Sequence, residues 1–137
     1  MGYLRSQRQA RIVLSAIETV NRRDDFQVVD YVILGNHLHM IVEAENERAL
    51  AGGMRALGIR VAMRLNSLQN RRGPAFVDRY HAHVLKTRRE VVHAVKYVRA
   101  NYQRHTHEWL PPRWRDPLAG RVAEPRTWLL RAGTPAG

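Results

Sequence analysis

The sequence predicts a single α+β domain in which helices pack on an antiparallel sheet. Three segments have apolar residues at helical spacing, and the first two of them flank a pair of apolar stretches. These two stretches are joined by Gly35-Asn36, a dipeptide typical of hairpin turns. The chain has 137 residues, of which 45% are hydrophobic, and this is enough for one modest core.

Local signals define the first three elements. A helix is predicted from residue 6 to about residue 22, because Ser6 and Gln9 form a capping box and apolar residues then recur at helical spacing. Residues 26–34 are rich in β-branched and aromatic side chains, so we expect a strand covered on both faces. Residues 37–44 are expected to form the second strand of the hairpin.

Two further helices are predicted. Asn46 is a candidate N-cap for the second. Its apolar face would contain Leu50, Met54, Leu57, Val61, Leu65 and Leu68. We interpret three glycines inside it as close-packing positions: Gly52, Gly53 and Gly58. The third helix follows Thr87, with Glu90 completing a capping box. Its buried stripe would contain Val91, Val95, Val98 and Tyr102.

The remaining segments are less regular in pattern. Residues 70–74 form a predicted basic turn, and residues 75–86 are expected to be another strand. The last segment is rich in Pro, Trp and Arg, so we expect irregular structure with a short turn or helix at residues 127–131. The sequence is therefore divided into a domain at residues 1–108 and an irregular tail at residues 109–137.

Charge and composition narrow the class of partner. The chain has 23 Lys and Arg against 12 Asp and Glu, a formal net charge of +11 and a pI near 11.3. Such a surface favours a polyanion, and nucleic acid is the natural one. No long apolar run or secretory signal is present, so we expect no membrane partner and a cytoplasmic location. The absence of cysteine excludes disulfides and thiolate metal sites.

Two pairs of histidines have the spacing of a metal site. In a strand, His37 and His39 would project from one face, so that a third ligand from elsewhere could complete a site for one divalent metal. His81 and His83 have the same spacing in another predicted strand. Spacing alone leaves the choice between the two pairs open.

The third helix offers groups that could complete such a site. Tyr97 and Asn101 lie four residues apart, on one flank beside the apolar stripe, from where they could reach a site built by His37 and His39. A tyrosine phenol is a poor nucleophile at neutral pH unless its target is polarised, and Mg²⁺ or Mn²⁺ on a phosphate oxygen would do this. The corresponding reaction is DNA strand transfer through a covalent phosphotyrosine.

Three segments together resemble a known family. They are Gly-Asn-His-Leu-His-Met-Ile-Val-Glu at residues 35–43, Asp-Arg-Tyr-His-Ala-His-Val-Leu-Lys-Thr at 78–87 and Val-Lys-Tyr-Val-Arg-Ala-Asn at 95–101. In this order they are similar to the REP-associated tyrosine transposases and their insertion-sequence relatives, which are single-tyrosine members of the His-hydrophobic-His endonuclease superfamily. The resemblance covers roughly residues 4–105.

The resemblance implies a function for individual residues. It implies metal binding by His37, His39 and Asn101, with Tyr97 as the nucleophile that cuts single-stranded DNA near hairpins. It also implies that the second histidine pair does not supply the ligands. Relatives include monomers and dimers, so a homodimer is a further expectation.

The chain departs from the family pattern in three ways. The resemblance implies a ferredoxin-like βαββαβ fold whose first strand precedes the first helix, and here that strand is expected to be missing. Many relatives have Pro after the helix Asn, where this chain has Tyr102. The segment at residues 125–131 resembles the family's late segment cut short.

Three functions therefore compete. The first is a metal-dependent endonuclease and strand transferase for single-stranded or hairpin DNA. The second is a catalytically inactive relic that binds such nucleic acid, and the third is a basic RNA- or ribosome-associated protein. The residues expected to contact DNA flank the predicted site on the second helix, the basic turn and the following strand: Arg55, Arg60, Arg64, Arg71, Arg72, Arg79 and Lys86.

Overall fold

The computed structural model describes residues 4–35, 37–69, 82–106, 109–111 and 113–134. In chain order these residues form α1 (Gln7–Val20), β1 (Phe26–Ile33), β2 (Leu38–Ala44), α2 (Glu47–Gln69), α3 (Arg88–His105), β3 (Ala119–Arg121) and α4 (Trp128–Gly133). The predicted α+β class, with helices packed on an antiparallel sheet, is confirmed. No helix in the described ranges is long and apolar enough to cross a membrane.

Strand β1 is the centre of the sheet. It pairs antiparallel with β2 on one side and with β3 on the other, and all eight of its residues are buried. The prediction of a strand covered on both faces is therefore confirmed. The hairpin to β2 is also confirmed, and the Leu34 N–H closes it by donating to the His37 carbonyl at 2.9 Å.

The segment after residue 109 is more ordered than expected. We predict irregular structure there, but the segment provides both β3 and α4. The short helix expected at residues 127–131 corresponds to α4, for which Thr127 is the N-cap. The physical reason is that a fully buried central strand must pair its backbone N–H and C=O groups on both edges. Strand β3 supplies those partners for Asp30, Tyr31 and Val32.

Two hydrophobic cores lie on opposite faces of the sheet. One contains α1 and α2 with Val28, Tyr31 and other residues of β1. The second is formed by α3 and α4 against Val29 and Val32. The side chains of β2 point alternately toward the two cores. Leu38, Met40 and Val42 pack on the first core, whereas Ile41 belongs to the second.

The predicted N-caps are present. Ser6 Oγ accepts from the Gln9 N–H at 3.4 Å, Asn46 Oδ1 from the Ala49 N–H at 2.8 Å and Thr87 Oγ1 from the Glu90 N–H at 3.1 Å. Each side chain satisfies one of the unpaired donors in the first turn of its helix. These bonds set the starts of α1, α2 and α3 close to the residues that the sequence indicates.

Five expectations need correction or fall outside the described ranges: the strand at residues 75–86, the basic turn at 70–74, and the burial or packing of Leu68, Gly58 and Tyr102. Residues 82–86 belong to no strand, because the Lys86 N–H donates to the Glu90 side chain at 3.2 Å instead of joining a ladder; residues 70–81 and the Leu68 side chain are not described. Gly53 is a close-packing position beneath the Phe26 ring, but an added Cβ at Gly58 would meet no described atom within 4 Å. Tyr102 is half-buried instead of fully buried.

Candidate active site

A shallow, open cavity of about 350 Å³ lies between the β1–β2 hairpin and the C-terminal half of α3. Eight of the described residues line it: Leu34, Gly35, His37, His39, Tyr97, Asn101, Tyr102 and Thr106. The first four come from the hairpin and the last four from α3 and the residue that follows it. The cavity therefore brings together residues separated by about sixty positions in the chain.

The two histidines of the hairpin lie side by side. Their ring centroids are 4.9 Å apart and their planes are nearly perpendicular, at 81°. They share a face because alternate residues of a strand project to the same side. Burial, and secondarily the neighbouring His37, lowers the pKa of His39 below its usual value. A neutral imidazole keeps a nitrogen lone pair, which is the form that binds a metal.

Tyr97 reaches the cavity from α3. Its ring centroid is 6.0 Å from that of His39, with an edge-to-face angle of 77°. The side chain is 44% exposed, so the phenol is accessible to a large substrate. As the helical spacing predicts, Tyr97 lies beside the apolar stripe instead of within it, and the stripe packs Val95 and Val98 into the core.

Asn101 differs from Tyr97 in its burial. It is only 3% exposed and lines the cavity, one helical turn after Tyr97. Its side chain makes no hydrogen bond to any residue that the structure describes. Its amide atoms are not among the fully enclosed polar atoms of the described residues, so they open into the cavity. The Asn101 amide is therefore available to a ligand in the cavity.

These residues fit a divalent metal. The donor set would be the imidazoles of His37 and His39 and the amide oxygen of Asn101, all of which line one cavity. Within the described ranges there is no cluster of three or more His, Cys, Asp or Glu side chains, so the amide would have to supply the third donor. The two imidazoles favour a transition metal and the amide oxygen a harder ion, so of the two expected metals Mn²⁺ fits this mixed donor set better than Mg²⁺.

One wall of the cavity is held by contacts that the sequence did not indicate. The Arg5 guanidinium stacks on the Tyr102 ring at 3.5 Å and makes two hydrogen bonds to the buried Asp116 carboxylate, at 2.7 and 2.9 Å. Arg5 also donates to the Ile33 carbonyl at 2.7 Å. The segments before α1 and before β3 thus support the cavity together. Tyr102 also lines the cavity, and its position next to Asn101 is the one sequence feature that could have indicated this.

Most of the expected DNA contacts lie away from the cavity. Three of them, Arg55, Arg60 and Arg64, are exposed on α2, which packs on the opposite face of the sheet, so the expectation that they flank the site is wrong. Lys86 is exposed just before α3 and does not line the cavity. Four further candidates lie outside the described residues: Arg71, Arg72, Arg79 and His81.

Of the second histidine pair, the structure describes only His83, and this residue lies away from the cavity. His83 is highly exposed, and its Nε2 is 3.6 Å from the Glu90 carboxylate near the N-terminus of α3. It does not line the cavity. The structure thus groups the first histidine pair, and not His83, with Tyr97 and Asn101.

The fold and cavity define an α+β protein with a histidine pair facing a helical tyrosine and asparagine. Comparisons with protein-family models, with curated proteins and with solved structures find no match to this chain.

Proposed function

We propose that this protein is a metal-dependent endonuclease and strand transferase for single-stranded DNA that acts through a covalent phosphotyrosine. Tyr97 is the nucleophile, and His37, His39 and Asn101 are the metal ligands. The substrate would be single-stranded DNA near a hairpin, and the reaction would take place in the cytoplasm.

One observation carries this proposal: a buried asparagine without a described protein partner shares a cavity with two adjacent histidines and an accessible tyrosine. The Asn101 amide is paired with no described residue and is not among the fully enclosed polar groups, so a ligand in the cavity can reach it. The lowered pKa of His39 favours the neutral imidazole needed for metal binding. The net charge of +11 favours a polyanionic substrate.

The reaction exchanges one phosphodiester bond for another. The Tyr97 phenol oxygen attacks phosphorus, the bond from phosphorus to the departing O3′ breaks, and the phenol proton leaves to water as O3′ takes up a proton. The product is a 5′-phosphotyrosine and a free 3′-hydroxyl. Attack by a 3′-hydroxyl reverses the step and rejoins DNA, so neither an oxidant nor a nucleotide cofactor is required.

The residues of the cavity divide the work. His37, His39 and Asn101 would hold the divalent ion, which supplies Lewis-acid polarisation of a phosphate oxygen when bound. Tyr97 lies on α3 with its ring 6.0 Å from that of His39, so the phenol would be close to the bound ion. Positioning of this kind accounts for much of the acceleration in phosphoryl transfer.

The test is a search for a covalent protein–DNA adduct. Labelled single-stranded hairpin DNA is incubated with the protein and Mn²⁺ or Mg²⁺ and resolved by denaturing electrophoresis. We expect a shifted band that disappears with EDTA and with Tyr97→Phe. Tyr31→Phe is the matched control, because Tyr31 is buried on the opposite face of the sheet and should be dispensable for the adduct.

Two results would reject the proposal. An adduct that persists in Tyr97→Phe would show that another group is the nucleophile. The absence of any adduct, from folded protein that still binds hairpin DNA, would favour the second function, a catalytically inactive binding protein. In that case alanine at His37 and His39 should leave DNA affinity unchanged.

A further inference from the structure

Helix α3 has a line of exposed basic residues on the side turned away from the core. With 3.6 residues per turn, positions spaced by three, four or seven residues lie above one another. The exposed residues Arg89, His93 and Lys96 follow this spacing, and the exposed Arg104, about three turns after His93, lies on the same side of the helix; these four basic residues are called the basic stripe below. The stripe is opposite the buried valines of α3 and extends for about 22 Å along the helix.

No carboxylate of α3 lies within the basic stripe. Glu90 is the one acidic residue of α3, and it accepts from the Lys86 N–H and the Thr87 hydroxyl at the start of the helix. The Arg and Lys side chains of the stripe form no ion pair or hydrogen bond with a residue in the described ranges. A row of solvated, unpaired cations produces a positive potential that attracts a polyanion.

The basic stripe runs past the proposed nucleophile. Tyr97 follows His93 by one helical turn and is adjacent to Lys96, so it lies at the edge of the stripe on the side toward Asn101. A strand whose phosphates follow the stripe would pass beside the Tyr97 side chain, which is 44% exposed.

The arginines of α2 are in the wrong place for this task. Arg55, Arg60 and Arg64 are exposed, but α2 packs on the face of the sheet opposite to the cavity. A strand held by them would be separated from Tyr97 by the sheet and by α3. The basic stripe is on the same helix as Tyr97, so no such barrier separates the two.

We propose that the basic stripe of α3 is the track along which the single-stranded DNA backbone lies and which leads a phosphate to Tyr97. The identity of the substrate rests on the proposed function, whereas the position of the track rests on the stripe. The contacts are to phosphates, so they should position the strand without reading its sequence.

The first test compares two triple variants with the same change of charge. One is Arg89→Ala/Lys96→Ala/Arg104→Ala on α3, and the control is Arg55→Ala/Arg60→Ala/Arg64→Ala on α2. Affinity for a fluorescent single-stranded DNA is measured by anisotropy over a range of salt concentrations, in EDTA. The slope of log K against log[salt] is negative, and each lost phosphate contact reduces its magnitude by about 0.7. The magnitude of the slope should therefore fall by about 2 in the α3 variant.

The α2 triple variant shows whether the effect is specific to the basic stripe. We expect the α2 variant to keep a slope close to that of the wild type. Circular dichroism and thermal melting establish that both variants are folded. If the α3 triple variant does not fold, the single variant Lys96→Ala is measured instead, and the magnitude of its slope should be about 0.7 smaller than that of the wild type. An equal or larger loss in the α2 variant, or no loss in the α3 variants, overturns the proposal.

A second test locates the strand directly. The chain has no cysteine, so a single introduced cysteine carries a photo-crosslinker at one defined position. Lys96→Cys should crosslink single-stranded DNA several-fold more efficiently than Arg60→Cys, and the reverse order would contradict the track. Both tests use metal-free conditions, so a failure to form the Tyr97 adduct rejects the proposed chemistry and leaves these measurements interpretable.

Discussion

Arg99 donates through Nε and Nη2 to a single oxygen, Oδ1, of the fully buried Asp30, at 3.0 and 2.9 Å. Asp30 follows an irregularity in the pairing of β1 with β2, where the register shifts between Val28 and Asp30. Bulges of this kind re-aim a side chain, and this one is followed by a carboxylate that meets α3. The ion pair therefore ties the helix that carries Tyr97 to the central strand.

The Asp30–Arg99 pair gives the first prediction. Arg99→Met should destabilise the protein by about 3 kcal/mol, because it leaves a buried carboxylate without its charge partner. The double variant Asp30→Val/Arg99→Met should recover most of this loss, since a buried pair is often replaceable by apolar residues. Urea denaturation followed by circular dichroism measures both. A double variant as unstable as the single one would show that the loss comes from packing.

Helix α4 is attached to β2 by a carboxylate. Glu43 accepts from the Arg126 N–H at 2.9 Å, the Thr127 N–H at 2.7 Å and the Thr127 hydroxyl at 2.6 Å. Glu43→Ala should lower stability by about 1 kcal/mol, because the first turn of α4 loses a charged acceptor. Hydrogen exchange should become faster in α4 and remain unchanged in α1. Glu45→Ala, a nearby exposed change, should alter neither rate.

Two glycines of α2 should respond oppositely to alanine. A Cβ at Gly53 would overlap the Phe26 ring, so Gly53→Ala should cost about 1–3 kcal/mol. A Cβ at Gly58 meets no described atom within 4 Å, so Gly58→Ala should stabilise the helix by up to about 1 kcal/mol. Thermal melting of the two variants shows whether each change raises or lowers the stability. A stabilised Gly53→Ala would mean that Phe26 moves aside without loss.

The metal proposal predicts a difference between two histidines. His39→Ala should weaken Mn²⁺ binding by about tenfold or more, because it removes a proposed ligand and not merely a supporting group. His83→Ala is the matched control, since His83 is exposed and does not line the cavity. Isothermal titration calorimetry without DNA measures the two affinities. Equal affinities in both variants would remove His39 from the ligand set.

Much of the local structure could be predicted from the sequence. The starts of α1, α2 and α3 depend on capping residues next to them in the chain, and the hairpin depends on a turn dipeptide between two apolar runs. The shared face of His37 and His39, and the shared flank of Tyr97 and Asn101, follow from the periods of a strand and a helix. Within the cavity, the sequence thus indicated the four residues to which a role is assigned.

Other parts depended on contacts between distant segments. The role of β3 as the second partner of β1 has no local signal, because a three-residue strand is defined only by the edge that it pairs with. The Arg5–Asp116 pair joins residues 111 positions apart. Helix α2 packs on the face of the sheet opposite to the cavity, and this separates its arginines from the site. The periodicity of a single helix does not indicate which face of a sheet it will cover.

By itself, then, the sequence determined the helices, the hairpin and the side on which each candidate residue projects, because these depend on backbone periodicity and on neighbours within one turn. The tertiary structure alone decided that the hairpin histidines lie beside Tyr97 and Asn101 while the α2 arginines do not. Those relations depend on how a fully buried central strand satisfies both of its edges and both of its faces, which requires segments from across the chain.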